Sequence, residues 1–157
     1  MIVVRNLYKE YAGNPVLKDI SWDTESRGVT ALIGPSGAGK TTLLRLIDLL
    51  EEPTSGTILF DEVDTGTSER ARLEMRRRIA IVFQKPVVFN TTVYENVAYG
   101  LRIRREERGN LRERVGHALE MVGLSSYAGR RARTLSGGEV QRVALARAMI
   151  TRPELLL

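Results

Sequence analysis

Gly34-Pro35-Ser36-Gly37-Ala38-Gly39-Lys40-Thr41 constrains this chain more than any other stretch. It matches G-x-x-x-x-G-K-S/T without a gap. Val29 to Ile33 (VTALI) precede it as a short apolar run with β-branched members, which predicts a buried strand. Thr42 to Leu50 follow, with Leu43, Leu46, Ile47 and Leu50 at helical spacing. A glycine-rich loop between a strand and a helix is the setting in which such a loop holds phosphate. Gly34, Gly37 and Gly39 permit backbone angles closed to other residues and let main-chain N–H groups approach an anion. The helix start adds free N–H groups and the positive end of its dipole. Lys40 supplies a point charge for outer phosphates, the Thr41 hydroxyl is a magnesium ligand candidate, and Thr42 lies beside them.

The 157 residues suffice for one domain with a real core. Their composition, 43% apolar and 27% charged, is that of a soluble globular protein. The chain has no cysteine, so disulfides and thiol chemistry are excluded. No apolar run approaches the roughly 20 residues needed to cross a bilayer. The opening MIVVRNLYKEY lacks the layout of a secretion signal, so a cytoplasmic protein is expected. A net charge of +5 raises nucleic acid or an anionic membrane surface as a partner. The arginines, however, sit in two mixed-charge segments, Glu69 to Arg78 and Arg102 to Arg114, which read as solvated helix faces. No nucleic-acid motif accompanies them, so no nucleic-acid partner is expected.

Along the chain, Ile2 to Val4 and Val16 to Trp22 read as strands separated by Gly13-Asn14-Pro15 turn chemistry. Tyr11, just before that turn, is either a core residue or a stacking platform for a base, and pattern alone favours the core. Pro53 to Gly56 marks another turn, then Thr57 to Phe60 a strand. Ser68 caps a predicted helix over Glu69 to Arg78. Ile79 to Phe83 is continuous and apolar, the pattern of a strand buried on both faces. It ends at Gln84, where α/β sheets place ligands. Between Pro86 and Arg133 only helices are predicted. One is capped by Asn90-Thr91-Thr92 and carries Val93, Val97 and Leu101; the other spans Leu111 to Val122. His117 lies on the second and is assigned no chemistry.

Leu135-Ser136-Gly137-Gly138-Glu139 opens the last helix, which is predicted to run to about Ile150. Ser136 and Glu139 fit a capping box. A Gly-Gly pair in a first helical turn costs roughly 1 kcal/mol per glycine against alanine, so these glycines point to something approaching the backbone. Leu135 to Arg142, including Gln141, resembles the signature sequence of ABC-type ATPases. The loop at Gly34, Gln84 after an apolar run, and the signature follow that family's order and rough spacing. Tyr11 falls where the family places an aromatic ring against adenine, a stacking contact of the ordinary aromatic–base kind.

The resemblance implies an α/β fold. It consists of a P-loop NTPase (RecA-like) core with an ABC-type β subdomain, over residues 1–85 and 134–157, and a helical subdomain over 86–133. It implies ATP and Mg2+ as cofactors, with Lys40 and Gln84 catalytic and Thr41 and Gln84 at the metal. It also implies a head-to-tail dimer with a second ABC ATPase subunit, in which Ser136 and Gly138 of one copy cap the nucleotide of the other. Transmembrane permease subunits and a solute-binding protein are the further expected partners, on the inner face of the cell membrane. Gln84 to Gly100 is similar to ATPases of oxyanion importers (tungstate or molybdate, and phosphate). A non-transport ABC ATPase acting on DNA or ribosomes is the alternative, and a nucleotide-binding remnant without turnover a third reading. The family's magnesium aspartate and water-polarising glutamate follow an apolar strand. Here Leu155-Leu156-Leu157 end the chain without them, so a C-terminally incomplete cassette with little or no turnover is expected.

Overall fold

The computed structural model describes residues 2–25, 27–66, 68–105 and 110–157. Part of the predicted charged segment Arg102 to Arg114, residues 106–109, lies outside the described residues. The chain divides into two compact units, Met1–Arg77 and Arg78–Leu157.

The first unit is built on a hairpin. β1 (Ile2–Tyr11) and β2 (Asn14–Asp23) pair antiparallel, and Ala12 and Gly13 join them with φ of 49° and 80°. Two positive φ values match the right-handed twist of the flanking strands. Proline cannot supply one, so the turn sits one residue earlier than Gly13-Asn14-Pro15, and Asn14 and Pro15 begin β2 opposite Tyr11 and Glu10. Asn6 (φ 45°) and Asp19 (φ 52°) mark a bulge, where the Asn6 amide donates to the Asp19 carboxylate at 2.7 Å. That bulge is why the apolar alternation of the second strand fades midway. β3 (Ser55–Phe60) pairs with the other edge of β1 and β4 (Val63–Asp64) with β3, giving the order β2-β1-β3-β4. Gly56, predicted as turn, lies in β3 at φ 90°; a Cβ there would stand 2.4 Å from the Asn6 carbonyl oxygen.

α1 (Lys40–Ile47) buries Leu43, Leu46 and Ile47, while Leu50 lies beyond its end and is exposed. α2 (Glu69–Arg78) starts under the Ser68 hydroxyl, which accepts from the Ala71 N–H at 3.1 Å. The predicted strand at Val29 to Ile33 does not form: no described strand pairs with it, and Val29 and Ile33 are 100% and 90% exposed. An apolar run becomes a strand only where a neighbour takes up its N–H and C=O groups.

In the second unit the strand expected over Ile79 to Phe83 shortens to β5 (Ile79–Ala80), parallel to β6 (Leu155–Leu156). Among the described strands it pairs with β6 alone; Ile79 is buried, while Phe83 is exposed. The Val82 N–H donates to the Leu157 carbonyl at 2.8 Å, and Arg78 makes a two-pronged pair with Glu154 at 2.8 and 2.5 Å. α3 (Val93–Ile103), α4 (Leu111–Met121) and α5 (Gly137–Met149) share one apolar core that includes Val97, Leu101, Leu119 and Val143. Each is capped alike: Thr92, Asn110 and Ser136 accept from the N–H of a glutamate three residues on. Among the described residues no helix is long and apolar enough to cross a membrane.

Candidate nucleotide-binding site

The loop from Gly34 to Gly39 is held by the strand it leans on. Gly39 is the N-cap of α1 at φ 84°, and a Cβ there would meet Leu17 Cδ2 at 2.7 Å and the Val16 carbonyl at 3.2 Å. Glycine takes this angle without strain and leaves room for Leu17 against the loop. Gly37 shares the φ of 84° but faces open space. The Ala38 N–H closes the turn onto the Pro35 carbonyl at 3.3 Å. Gly34, Pro35, Ser36, Gly37, Ala38 and Thr41 are exposed, with Gly39, Lys40 and Thr42 half-buried.

Lys40 Nζ donates to the carbonyls of Gly34 (2.7 Å) and Pro35 (2.6 Å), which sets the ammonium over its own loop. No side chain caps α1. A helix start without a side-chain cap, a cation directly beside it and two threonine hydroxyls form a donor set suited to a polyphosphate. These residues therefore fit the phosphates of ATP. No cluster of three or more His, Cys, Asp or Glu side chains able to hold a metal occurs among the described residues. A magnesium ion at this loop would take oxygen from Thr41 and from the phosphates themselves, the usual arrangement for that ion.

Tyr11 ends β1 in the same unit and is 42% exposed, so it is not a core residue. Its hydroxyl donates to the Glu51 carboxylate, and that bond raises the phenol's pKa and lowers that of Glu51. Thr42 acts on the phenol in the opposite sense. Tyr11 is thus tied to the segment just past α1, the helix that the loop opens.

Gln84 and the signature residues lie in the second unit. Gln84 is exposed in a bend after β5. Leu135 packs against the helical core and Ser136 caps α5. Glu139 completes the predicted capping box: the Ser136 N–H donates to its carboxylate at 2.7 Å and the Ser136 hydroxyl at 2.8 Å. Those two bonds hold the Glu139 carboxyl below the usual carboxylate range. Gly137 and Gly138 are exposed, with nothing within 4 Å of where a Cβ would stand. Gln141 is exposed beyond them, while Val143, Ala144, Ala146 and Ala148 face the core.

Arg147 was not singled out from the sequence. Its guanidinium lies 5.2 Å from the centre of the Phe89 ring and donates to the Val87 carbonyl at 2.9 Å. Phe89 stacks at a tilt on Tyr99, 4.3 Å between centres. An arginine among the alanines of an inward helix face was the available signal. Lys9 and Glu51 had none, because their partners are remote in sequence.

The ABC transporter family profile matches residues 17–157. The chain belongs to that family. A phosphate import ATP-binding protein of Natronomonas pharaonis is 46% identical to this ABC chain over 166 residues, covering 99% of it and 58% of the relative. A spermidine/putrescine import ATP-binding protein of Clostridium novyi is 38% identical, covering 100% and 44%. The ABC chain thus spans about half the length of these curated relatives. The solved dimeric ATP-binding cassette MJ0796, bound to ADP and Pi, superposes with a TM-score of 0.88 at 31% identity, covering 99% of this chain and 72% of that one. The P-loop NTPase fold expected from the sequence is therefore the fold of this ABC chain.

Proposed function

We propose that this chain is the nucleotide-binding part of the ATP-hydrolysing, energy-coupling subunit of an ABC importer. The observation that carries the reading is a pair of helix starts of different design within one chain. The start of α1 has no side-chain cap and carries Lys40 against its own loop carbonyls. The start of α5 is fully capped by Ser136 and Glu139, yet presents two glycines with open space around them. Lys40 neutralises the outer phosphates, and the loop N–H groups and α1 orient them. Thr41 and Gln84 are proposed as oxygen ligands of magnesium, which supplies charge neutralisation when bound. Leu135, Ser136, Gly137, Gly138, Glu139 and Gln141 serve the nucleotide of a second copy, arranged head to tail. Residues 1–85 and 134–157 act as the nucleotide-binding core and 86–133 as the helical subdomain.

In this reading ATP closes two copies on each other and hydrolysis reopens them, driving permease subunits on the inner face of the membrane. An inorganic oxyanion is proposed as the solute, supplied by a solute-binding protein. Identities of 46% and 45% to phosphate- and sulfate/thiosulfate-import relatives, against 38–42% to spermidine/putrescine ones, lean toward that choice.

Titration with a fluorescent ATP analogue tests the site. Saturable binding is expected, weakened about tenfold or more by Lys40→Ala, the scale of a lost charge-assisted contact. Equal binding by both proteins would overturn the assignment of the loop. Phosphate and polyamine uptake by cells with and without the gene tests the solute; a change confined to polyamine would overturn the oxyanion reading.

A further inference from the structure

Tyr11 is fixed from two directions by groups that the phosphate loop does not use. Its hydroxyl donates to Glu51 just beyond α1, 40 residues away in sequence. Glu51 is itself anchored, its other carboxylate oxygen accepting from Arg45 at 3.3 Å. The Lys9 ammonium lies 4.9 Å from the centre of the Tyr11 ring and donates to the Glu52 carbonyl at 2.7 Å. One face of the ring therefore carries a cation and its polar tip carries a carboxylate. An exposed tyrosine has no packing reason to be held this way, since a ring at the end of a hairpin gains little by losing its rotamers.

We propose that Glu51 and Lys9 are positioning residues for the nucleotide base: they hold the Tyr11 ring in advance so that its remaining face receives a purine. This rests on the proposed nucleotide site and adds a base-selective element to it. A ring already immobilised does not lose its freedom when the base stacks, and the saving appears as affinity. The saving is confined to ligands that carry a base. Phosphate contacts at Lys40 and the start of α1 do not depend on it.

The test compares ATP with inorganic tripolyphosphate, which has the phosphates and no base, by calorimetry on the full chain. Glu51→Ala is expected to weaken ATP about three- to tenfold, the range of one immobilised side chain, and to leave tripolyphosphate unchanged. Glu51→Gln keeps an acceptor oxygen and is expected to stay within about twofold of the native protein. Tyr11→Phe keeps the ring and removes the link, so adding Glu51→Ala to it is expected to change nothing further. Lys9→Ala is expected to act on ATP alone. Equal weakening of both ligands, no weakening of ATP, or an undiminished Glu51→Ala effect beside Tyr11→Phe would overturn the proposal. If the native chain binds tripolyphosphate with no gain for ATP, base stacking at Tyr11 fails while the loop stands. If Lys40→Ala alters neither ligand, the loop reading fails and this proposal with it.

Discussion

Ser136 and Glu139 satisfy each other across the first turn of α5: serine N–H and hydroxyl both donate to one carboxylate oxygen, and the glutamate N–H returns to the hydroxyl at 3.4 Å. Gly137 and Gly138 stand between them with open space where their side chains would be. The helix end is complete without glycine. Gly137→Ala is therefore expected to stabilise the fold by roughly 0.5–1 kcal/mol, the helix-propensity difference. It is also expected to abolish nucleotide-dependent pairing of two copies. Urea denaturation and sedimentation with ATP check the two halves. Ser136→Ala should do the opposite to stability, costing about 1 kcal/mol as a lost cap.

Three positive-φ glycines of the first unit should rank by what their side chains would meet. Gly37→Ala meets nothing and is expected to cost roughly 1–2 kcal/mol from the backbone angle alone. Gly39→Ala adds contact with Leu17 Cδ2 at 2.7 Å, a movable side-chain tip. Gly56→Ala drives a methyl to 2.4 Å from the backbone oxygen of Asn6 and is expected to cost most, about 3 kcal/mol or more. Equilibrium unfolding of the three variants gives the order directly.

Asp48 is the buried acid of the first unit. Burial pushes its carboxyl up to about 6, against a smaller opposing pull from Arg76. It also stands at the C-cap of α1, the end of a helix that disfavours negative charge. A folded-state value above the ordinary 3.8 means that the fold prefers the protonated form. Its contribution to stability is thus complete below about pH 4 and lost as the pH rises through 6. Asp48→Asn should flatten that fall. A gain of roughly 1–2 kcal/mol is expected at pH 8 and none at pH 4, read as the difference in thermal midpoint between the two pH values.

Arg147 ties α5 to the segment after Gln84 through the Val87 carbonyl and the Phe89 ring. Burial of its guanidinium lowers its pKa, so the charge is held at a cost that the contacts offset. Arg147→Ala is expected to destabilise by about 1–3 kcal/mol and to speed amide exchange around residues 87–91. Arg147→Lys should recover little, because an ammonium cannot cover a ring and reach a carbonyl with one planar group. Exchange measured by mass spectrometry separates local loosening from global unfolding.

Much of the candidate site was legible because its signals are local. The loop, its helix, the capping box and all three helix caps lie within a few residues of the groups they serve, and backbone chemistry of that range is written in the sequence. Val29 to Ile33 and Ile79 to Phe83 were misread for the opposite reason. Apolar β-branched runs state a willingness to pair, while pairing depends on which strands lie alongside; the first has no partner among the described strands and the second pairs over two residues. The same holds for turn placement, where Ala12 and Gly13 won over Gly13-Asn14-Pro15 through the twist of the strands they join.

The sequence by itself determined a glycine-rich loop of phosphate-binding pattern, a glycine pair at a capped helix start and the family that joins them, because each is a short run with its chemistry built in. Only the tertiary structure decided that Gly39 packs against Leu17, that Tyr11 is gripped by Glu51 and Lys9, and that Arg147 holds Phe89. Those contacts join residues up to some 60 positions apart, and only the folded chain brings them within reach.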